Sequence, residues 1–317
     1  LRSQIIVYSV ARSWRRVAVN LKFLTSPVLT ASGSVFCGTV MDALVKYVSA
    51  DMDLVTLVFW RFTLATIFIS IPFFLSGRRL PGWTATRFHA MRGLIHVTAT
   101  YLFFFALGKL ELAEVTVIGF TAALLILPFA RLLLKEKVHP ISAVAGLLGF
   151  VGVGVTAIGK DFGTEFTPDR MLGLASALGA ACFYALSIVL LRMRAARDGG
   201  FAVAVYANLF PALFIAPVAL TIGEPASWSE APVLVFMGLF GMMIWVLMTS
   251  AYARAPAQRL APVEYSALVW SAGIGLVVFH EVPNVSLWLG AALIIGACMI
   301  VLWQDHTDAR KVPLAPD

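Results

Sequence analysis

Three charged residues lie within the first two apolar stretches of the sequence. Asp42 and Lys46 are four residues apart on one helical face, and Arg61 follows the next turn at about the same depth. Each ionisable group in a bilayer costs about 2.5–3.5 kcal/mol on insertion scales. The surplus cation predicts a contact to an anionic solute group such as a carboxylate. The alternative is an ion pair that joins the two helices, with Lys46 reaching to the membrane surface.

A second candidate cluster lies late in the chain. Glu264 is followed by Tyr265, and Glu264 shares one small, polar helical face with Ser271. We interpret Glu264 as a proton-coupling group or as the contact to a substrate amine. The alternative is a carboxylate that pairs with Arg254 or Arg259.

Three further positions have a functional and a structural interpretation each. His96 lies on a polar stripe between Arg92 and Thr100, and it is either a proton relay or a packing histidine. Trp245 belongs to an aromatic stripe that either lines a substrate path or packs against neighbouring helices. Glu136 and Glu281 each end an apolar helix, where a carboxylate forms a gate or simply faces water.

Catalytic and metal-binding motifs are not found in the sequence. It has no HExxH, GxSxG or Walker loop, and its three cysteines are far apart in apolar runs. We therefore expect no enzyme activity, no cofactor and no metal, and we expect transport to draw on a gradient. A membrane enzyme or lipid-handling protein is the alternative class, and it would need a catalytic pair.

The composition predicts an all-α integral membrane protein. Of the 317 residues, 60% are hydrophobic and 13% charged, about half the charge of a soluble domain. A spanning helix needs roughly 20 apolar residues. The chain divides into ten such runs, near 28–49, 54–76, 88–109, 112–134, 140–158, 171–191, 201–222, 231–253, 258–279 and 285–303.

The distribution of Lys and Arg predicts the orientation. With a cytoplasmic N-terminus, all but five of the 24 basic residues, Arg92 included, fall on the cytoplasmic side, as the positive-inside rule requires. Both terminal segments, 1–27 and 304–317, are then cytoplasmic, and the location is the inner membrane. The basic residues form no single patch, so the expected partners are the bilayer and a small-molecule substrate and no nucleic acid. The sequence is also compatible with a homodimer.

The chain also contains an internal repeat. Residues 104–136 align with residues 249–281, so that Phe120 matches Tyr265 and Glu136 matches Glu281. Two repeats follow, over 28–158 and 171–303. Because five helices is an odd number, the second repeat runs through the membrane in the opposite sense. Inverted repeats predict a substrate site near the midplane, in a central cavity between the halves.

Several motifs resemble the EamA branch of the drug/metabolite transporter superfamily. They include WRFTLA in the second run, FFALGKLELAEVTVIGF leading into LLLKEKV, AYARAPAQRLAPVEYSALVWSAG, and FHEVP with WLGAALIIG. The resemblance covers roughly 28–303 and implies alternating access with peripheral fifth and tenth helices. The helix exits read KEK and HE where Gly-Glu is commoner in that family. The family includes amino-acid exporters and uptake systems for S-adenosylmethionine or riboflavin, and MDALVKY in the first run is closer to the uptake group.

Overall fold

The structure is a computed structural model that describes residues 27–77, 80–135, 140–159, 167–198, 200–252 and 263–311. These residues form α-helices with short connections and no strand among them. The helices of this part of the chain are α1 (Pro27–Val48), α2 (Leu54–Leu75), α3 (Trp83–Leu107), α4 (Leu112–Gly119), α5 (Thr121–Leu134), α6 (Pro140–Gly159), α7 (Pro168–Asp198), α8 (Gly200–Ile222), α9 (Ala231–Tyr252), α10 (Ser266–Val278) and α11 (Val285–Lys311).

Within the described ranges, seven segments are long and apolar enough to cross a bilayer, and one of them, Leu112–Leu133, combines α4 and α5. Three shorter apolar stretches lie in α6, α10 and α11. The predicted all-α architecture of about ten helices in two repeats is confirmed.

The outer surface of the helices is apolar. Leu220 is 77% exposed, Val277 75% and Leu147 70%. Apolar side chains exposed on all sides of the molecule suit contact with lipid tails rather than with water. Trp83 and Trp228, 73% and 94% exposed, lie at helix ends, where the amphipathic indole suits the membrane interface.

The two halves, α1–α6 and α7–α11, pack against each other in symmetric pairs. Helix α3 packs on α7 as α9 packs on α1, and α3 packs on α8 as α9 packs on α2. Helices α2 and α8, α4 and α10, and α6 and α11 each pack against their own equivalents. Each of these contact pairs joins one half to the other, so a site at this interface is built by both repeats.

Two glycines at equivalent positions allow close helix crossings between the halves. A Cβ atom on Gly93 of α3 would lie 2.4 Å from Cβ of Phe210 in α8, and one on Gly238 of α9 would lie 2.5 Å from Cβ of Leu64 in α2. Gly93 and Gly238 are 145 positions apart. Small residues let helix backbones approach inside a membrane, where packing drives association.

The KEK and HE motifs at the helix ends each contain a residue with a left-handed backbone conformation. Lys135 and His280, also 145 positions apart, both have φ of 56°, and they are the non-glycine residues with positive φ in the described chain. Each precedes the matched glutamate of its repeat. This left-handed conformation favours glycine. It therefore accounts for the Gly-Glu that is commoner at this position in the EamA family, which the sequence resembles.

Candidate functional site

Arg61 lies where the two halves meet. It is 5% exposed, and its guanidinium carbon lies 4.0 Å from the ring centroid of Phe62. A Cβ atom on Gly241 of α9 would lie 3.9 Å from Arg61 Nε and 4.0 Å from Sδ of Met41 in α1. The absence of a side chain at Gly241 therefore leaves room for the guanidinium between three helices.

Asp42 and Arg61 come together as the sequence predicts, but Lys46 does not join them. Asp42 is partly buried in α1 and interacts electrostatically with Arg61 in α2. Among the described residues, no acceptor lies within hydrogen-bond distance of Arg61 Nε or Nη1. The Arg61 side chain thus retains donors facing the interface between the halves.

His96 and Arg92 of α3 extend the cluster. His96 is 8% exposed, packs edge-on against Phe62 at 5.7 Å, and interacts electrostatically with both Arg92 and Arg61. Arg92, which the charge distribution counts on the cytoplasmic side, is 2% exposed and lies within α3, one helical turn before His96. It interacts electrostatically with Tyr184 of α7.

Tyr184 links this cluster to Glu264. Tyr184 is 46% exposed and interacts electrostatically with both Arg92 and Glu264. Glu264 is exposed and lies just before α10, next to Tyr265. Its sequence-based alternative partners, Arg254 and Arg259, lie outside the described residues. Charged and polar groups from α1, α2, α3, α7 and the start of α10 thus surround one central region.

Phe120 and Tyr265 mark matching breaks in two spans. Phe120 separates α4 from α5, and Tyr265 separates a short helical turn from α10. Past each break a shorter i→i+3 hydrogen bond forms, from Ala123 N to Phe120 O at 3.1 Å and from Leu268 N to Tyr265 O at 3.2 Å. The two rings contact each other edge to face at 5.2 Å. Broken helices at equivalent repeat positions are typical of transporter sites.

Lys46 instead bridges the halves at the face that the charge distribution predicts to be external. Its Nζ atom lies 2.6 Å from Oε1 of Glu281, and it also donates to the carbonyl of Leu110. Glu281 Oε2 accepts from the backbone N–H of Leu112 at 2.9 Å. The side chains of Lys46 and Glu281 are 16% and 14% exposed. One carboxylate therefore ties the end of α10 to α1 and to the start of α4.

Two more ion pairs cross between the halves at the same face. Arg170 of α7 binds both carboxylate oxygens of Glu114 in α4, at 2.7 and 3.2 Å, with side chains 14% and 3% exposed. Lys109 pairs with Asp169 at 3.0 Å, but these side chains are 33% and 70% exposed. The face is held together by two largely buried pairs and one exposed pair.

A buried polar cluster joins the halves at the opposite face. Asp198 of α7 contacts Nε2 of His89 at 2.9 Å and Nε of Arg194 at 3.1 Å. The ring of His89 also stacks on Tyr206 of α8 at 5.4 Å. The side chains of His89 and Asp198 are 0% and 6% exposed. This cluster fixes the beginning of α3 against α7 and α8.

The remaining predicted site residues lie away from the central charges or have local partners. The hydroxyl of Thr100 donates to the backbone of His96 at 3.0 Å, and that of Ser271, fully buried, donates to Leu268 at 3.1 Å. Trp245 packs against a hydrophobic cluster of α2 and α8. Glu136 lies outside the described residues.

Sequence reasoning missed Arg92 as a member of the cluster, and it missed the pairs Glu114–Arg170 and His89–Asp198. Arg92 shares a stripe with His96, which is a signal for it. The pairs join residues 56 and 109 positions apart, and no local pattern reveals such distant partners.

Comparison with known proteins identifies the family of the chain. The profile of the EamA-like transporter family matches residues 25–158 and again 171–303. The pseudopaline exporter of Pseudomonas aeruginosa strain UCBPP-PA14 is 27% identical over 281 residues, which are 88% of this chain and 96% of that protein.

Other relatives transport different solutes. The riboflavin transporter of Brucella anthropi is 26% identical over 81% of this chain and 90% of that protein. The S-adenosylmethionine uptake transporter of Rickettsia bellii is 24% identical over 85% and 91%. A solved crystal structure shares the fold, with a TM-score of 0.59 and 21% identity over 87% of this chain and 98% of that chain.

Proposed function

Because the chain belongs to the EamA-like transporter family, we propose that it is a secondary transporter that moves a small polar, amino-acid-like solute across the inner membrane by alternating access. The observation that carries this proposal is Arg61, a buried cation with unpaired donors beside Asp42, at the interface of two inverted repeats. A charge within a membrane span costs free energy, so its presence indicates a function. Binding a solute group is such a function.

The central residues suit a solute that carries an acidic group and an amine. The Arg61 guanidinium binds a carboxylate with two parallel N–H donors. Asp42 and Glu264 offer carboxylates to the amine from α1 and from the start of α10. The solute therefore lies among residues of both halves, and relative motion of the halves changes its access.

The ion pairs supply the gate and the broken helices supply the hinges. The Lys46–Glu281 bridge closes the predicted external face, because it joins α1 and α4 to the end of α10. Opening that face requires the bridge to break. The breaks at Phe120 and Tyr265 let the outer parts of two spans move without disrupting the inner parts.

Transport is driven by a proton or solute gradient, since the sequence has no ATP-binding motif. Glu264 is the proposed coupling carboxylate. A Glu264→Gln variant should transport without the acceleration that an imposed pH gradient gives wild type. Glu224→Gln, which removes an exposed carboxylate from a loop, is the matched control and should respond to the gradient as wild type does.

Uptake of a larger metabolite is the second candidate, and the names of the riboflavin and S-adenosylmethionine relatives favour it. The two candidates differ in solute size. An assay panel that includes amino acids, riboflavin and S-adenosylmethionine separates them directly.

Flux into proteoliposomes tests the proposal. Purified protein in liposomes is screened with labelled solutes in both directions, with and without a pH gradient. Saturable flux is expected for wild type, and Arg61→Gln should reduce it at least tenfold. Arg87→Gln removes an exposed cation from α3 and should leave it unchanged. Turnover of a lipid without solute flux would overturn transport and favour the enzyme class.

A further inference from the structure

The central region contains two buried arginines rather than one. Arg61 is 5% exposed and Arg92 is 2% exposed, and His96, 8% exposed, interacts electrostatically with both. Within the described ranges, no acceptor lies within hydrogen-bond distance of Arg61 Nε and Nη1, Arg92 Nε, or either ring nitrogen of His96. These are five buried donor or acceptor atoms without a partner, more than a purely structural cluster leaves unpaired, and they indicate a binding site for a polar ligand.

The two arginines lie at different depths. Counted from the predicted external ends of their helices, Arg61 lies about 10 Å into α2 and Arg92 about 22 Å into α3. His96 lies between them, about 16 Å from the same end of α3. Both arginines interact electrostatically with His96, which lies between them in depth.

In the part of the chain that the structure describes, no carboxylate forms an ion pair with Arg92. Asp42 interacts electrostatically with Arg61, whereas Arg92 interacts with the phenol of Tyr184 and with the rings of His89 and His96. Glu264 acts on Tyr184. A guanidinium presents five donors in a planar fork, and one carboxylate engages two donors of one guanidinium. Two guanidiniums at two depths therefore match two acidic groups.

We infer that the transported solute carries two acidic groups several bonds apart, with Arg61 binding one and Arg92 binding the other. This inference rests on the proposed transport function and adds a substrate class to it. Arg92 then determines specificity: it distinguishes a diacid from the same molecule with one acid replaced by a neutral amide. His96 lies between the two groups and donates or accepts according to its tautomer.

Matched solute pairs test the inference in proteoliposomes. L-Glutamate is compared with L-glutamine, and succinate with its monoamide, because the members of each pair differ by one acidic group. Wild type should prefer the diacid at least tenfold, which corresponds to about 1.4 kcal/mol. Arg92→Gln should reduce that preference to below twofold by slowing the diacid and leaving the monoamide unaffected.

Two variants separate specificity from folding. Arg92→Lys keeps the positive charge without the planar fork, so it should fold as wild type does and show an intermediate preference. Arg87→Gln, an exposed cation on the same helix, should keep the full preference. Equal wild-type flux for both members of each pair, or a preference that persists in Arg92→Gln and Arg92→Lys, would overturn the inference and leave the transport proposal standing. The transport proposal itself fails if wild type moves no solute of any kind.

Discussion

Breaking the Lys46–Glu281 bridge should open the predicted external face. The suitable change is Glu281→Gln, because the amide oxygen still accepts the N–H of Leu112 while the charge that holds Lys46 is lost. The bridge joins α1 and α4 to the end of α10. Its loss therefore removes a contact that exists only while this face is closed.

The geometry sets the size of the effect. The two charged atoms are 2.6 Å apart, and their side chains are 16% and 14% exposed. Removing one partner of a fully buried pair costs about 3–5 kcal/mol, and an exposed pair contributes about 0–1 kcal/mol. A value of about 2 kcal/mol lies between them and corresponds to roughly a 30-fold shift toward the open state.

Thiol labelling measures that shift. The three native cysteines, Cys37, Cys182 and Cys298, are replaced by serine, and Ala113→Cys is introduced as the reporter. Ala113 is 4% exposed and adjoins Leu112, so a membrane-impermeant maleimide should reach it slowly while the face is closed. Glu281→Gln should accelerate labelling by roughly the 30-fold shift.

A matched control uses the exposed pair at the same face. Lys109→Met removes a cation whose pair is 33% and 70% exposed, and it should change the labelling rate less than about fivefold. Unchanged labelling in Glu281→Gln, or an equal acceleration in Lys109→Met, would refute the assignment of this bridge as a gate.

Three further changes test the fold and its symmetry through the thermal midpoint in detergent. Gly238→Ala places a Cβ atom 2.5 Å from the side chain of Leu64 and should lower the free energy of unfolding by about 1–3 kcal/mol. Gly273→Ala, whose Cβ atom would have no neighbour within 4 Å, is the control and should not lower it. Equal effects of the two changes would contradict the close crossing. His280→Gly relieves a left-handed residue and should raise stability by about 1 kcal/mol, so a lower midpoint would count against that conformation. His89→Gln leaves a buried carboxylate with one partner fewer and should cost about 2 kcal/mol, and an unchanged midpoint would show that the contact contributes nothing.

The repeat and the spans could be predicted because they depend on patterns within the chain. Alternating apolar runs give the ten spans, and the alignment that matches Phe120 with Tyr265 also identifies two residues that contact each other in the structure. Symmetry explains this contact. Equivalent positions close to the axis that relates two repeats must lie close to each other.

The partners of individual charges could not be predicted in the same way. The sequence predicts the depth of Lys46 but not the direction of its side chain. Its partner Glu281 follows α10 in the other repeat, and no local pattern connects the two residues. The predicted third run begins near residue 88, whereas α3 begins five residues earlier, at Trp83. These first residues include Thr84, Thr86 and Arg87, so hydropathy alone places the boundary too late.

Solute flux through reconstituted protein tests the central claim most directly. Wild-type protein and Arg61→Gln, each confirmed as folded by its elution profile and thermal midpoint, are compared in proteoliposomes under an imposed gradient. The proposal predicts saturable, gradient-dependent flux of an acidic solute in wild type and at least a tenfold loss in Arg61→Gln. Equal flux in both proteins, or no saturable flux of any solute through folded wild type, would contradict it.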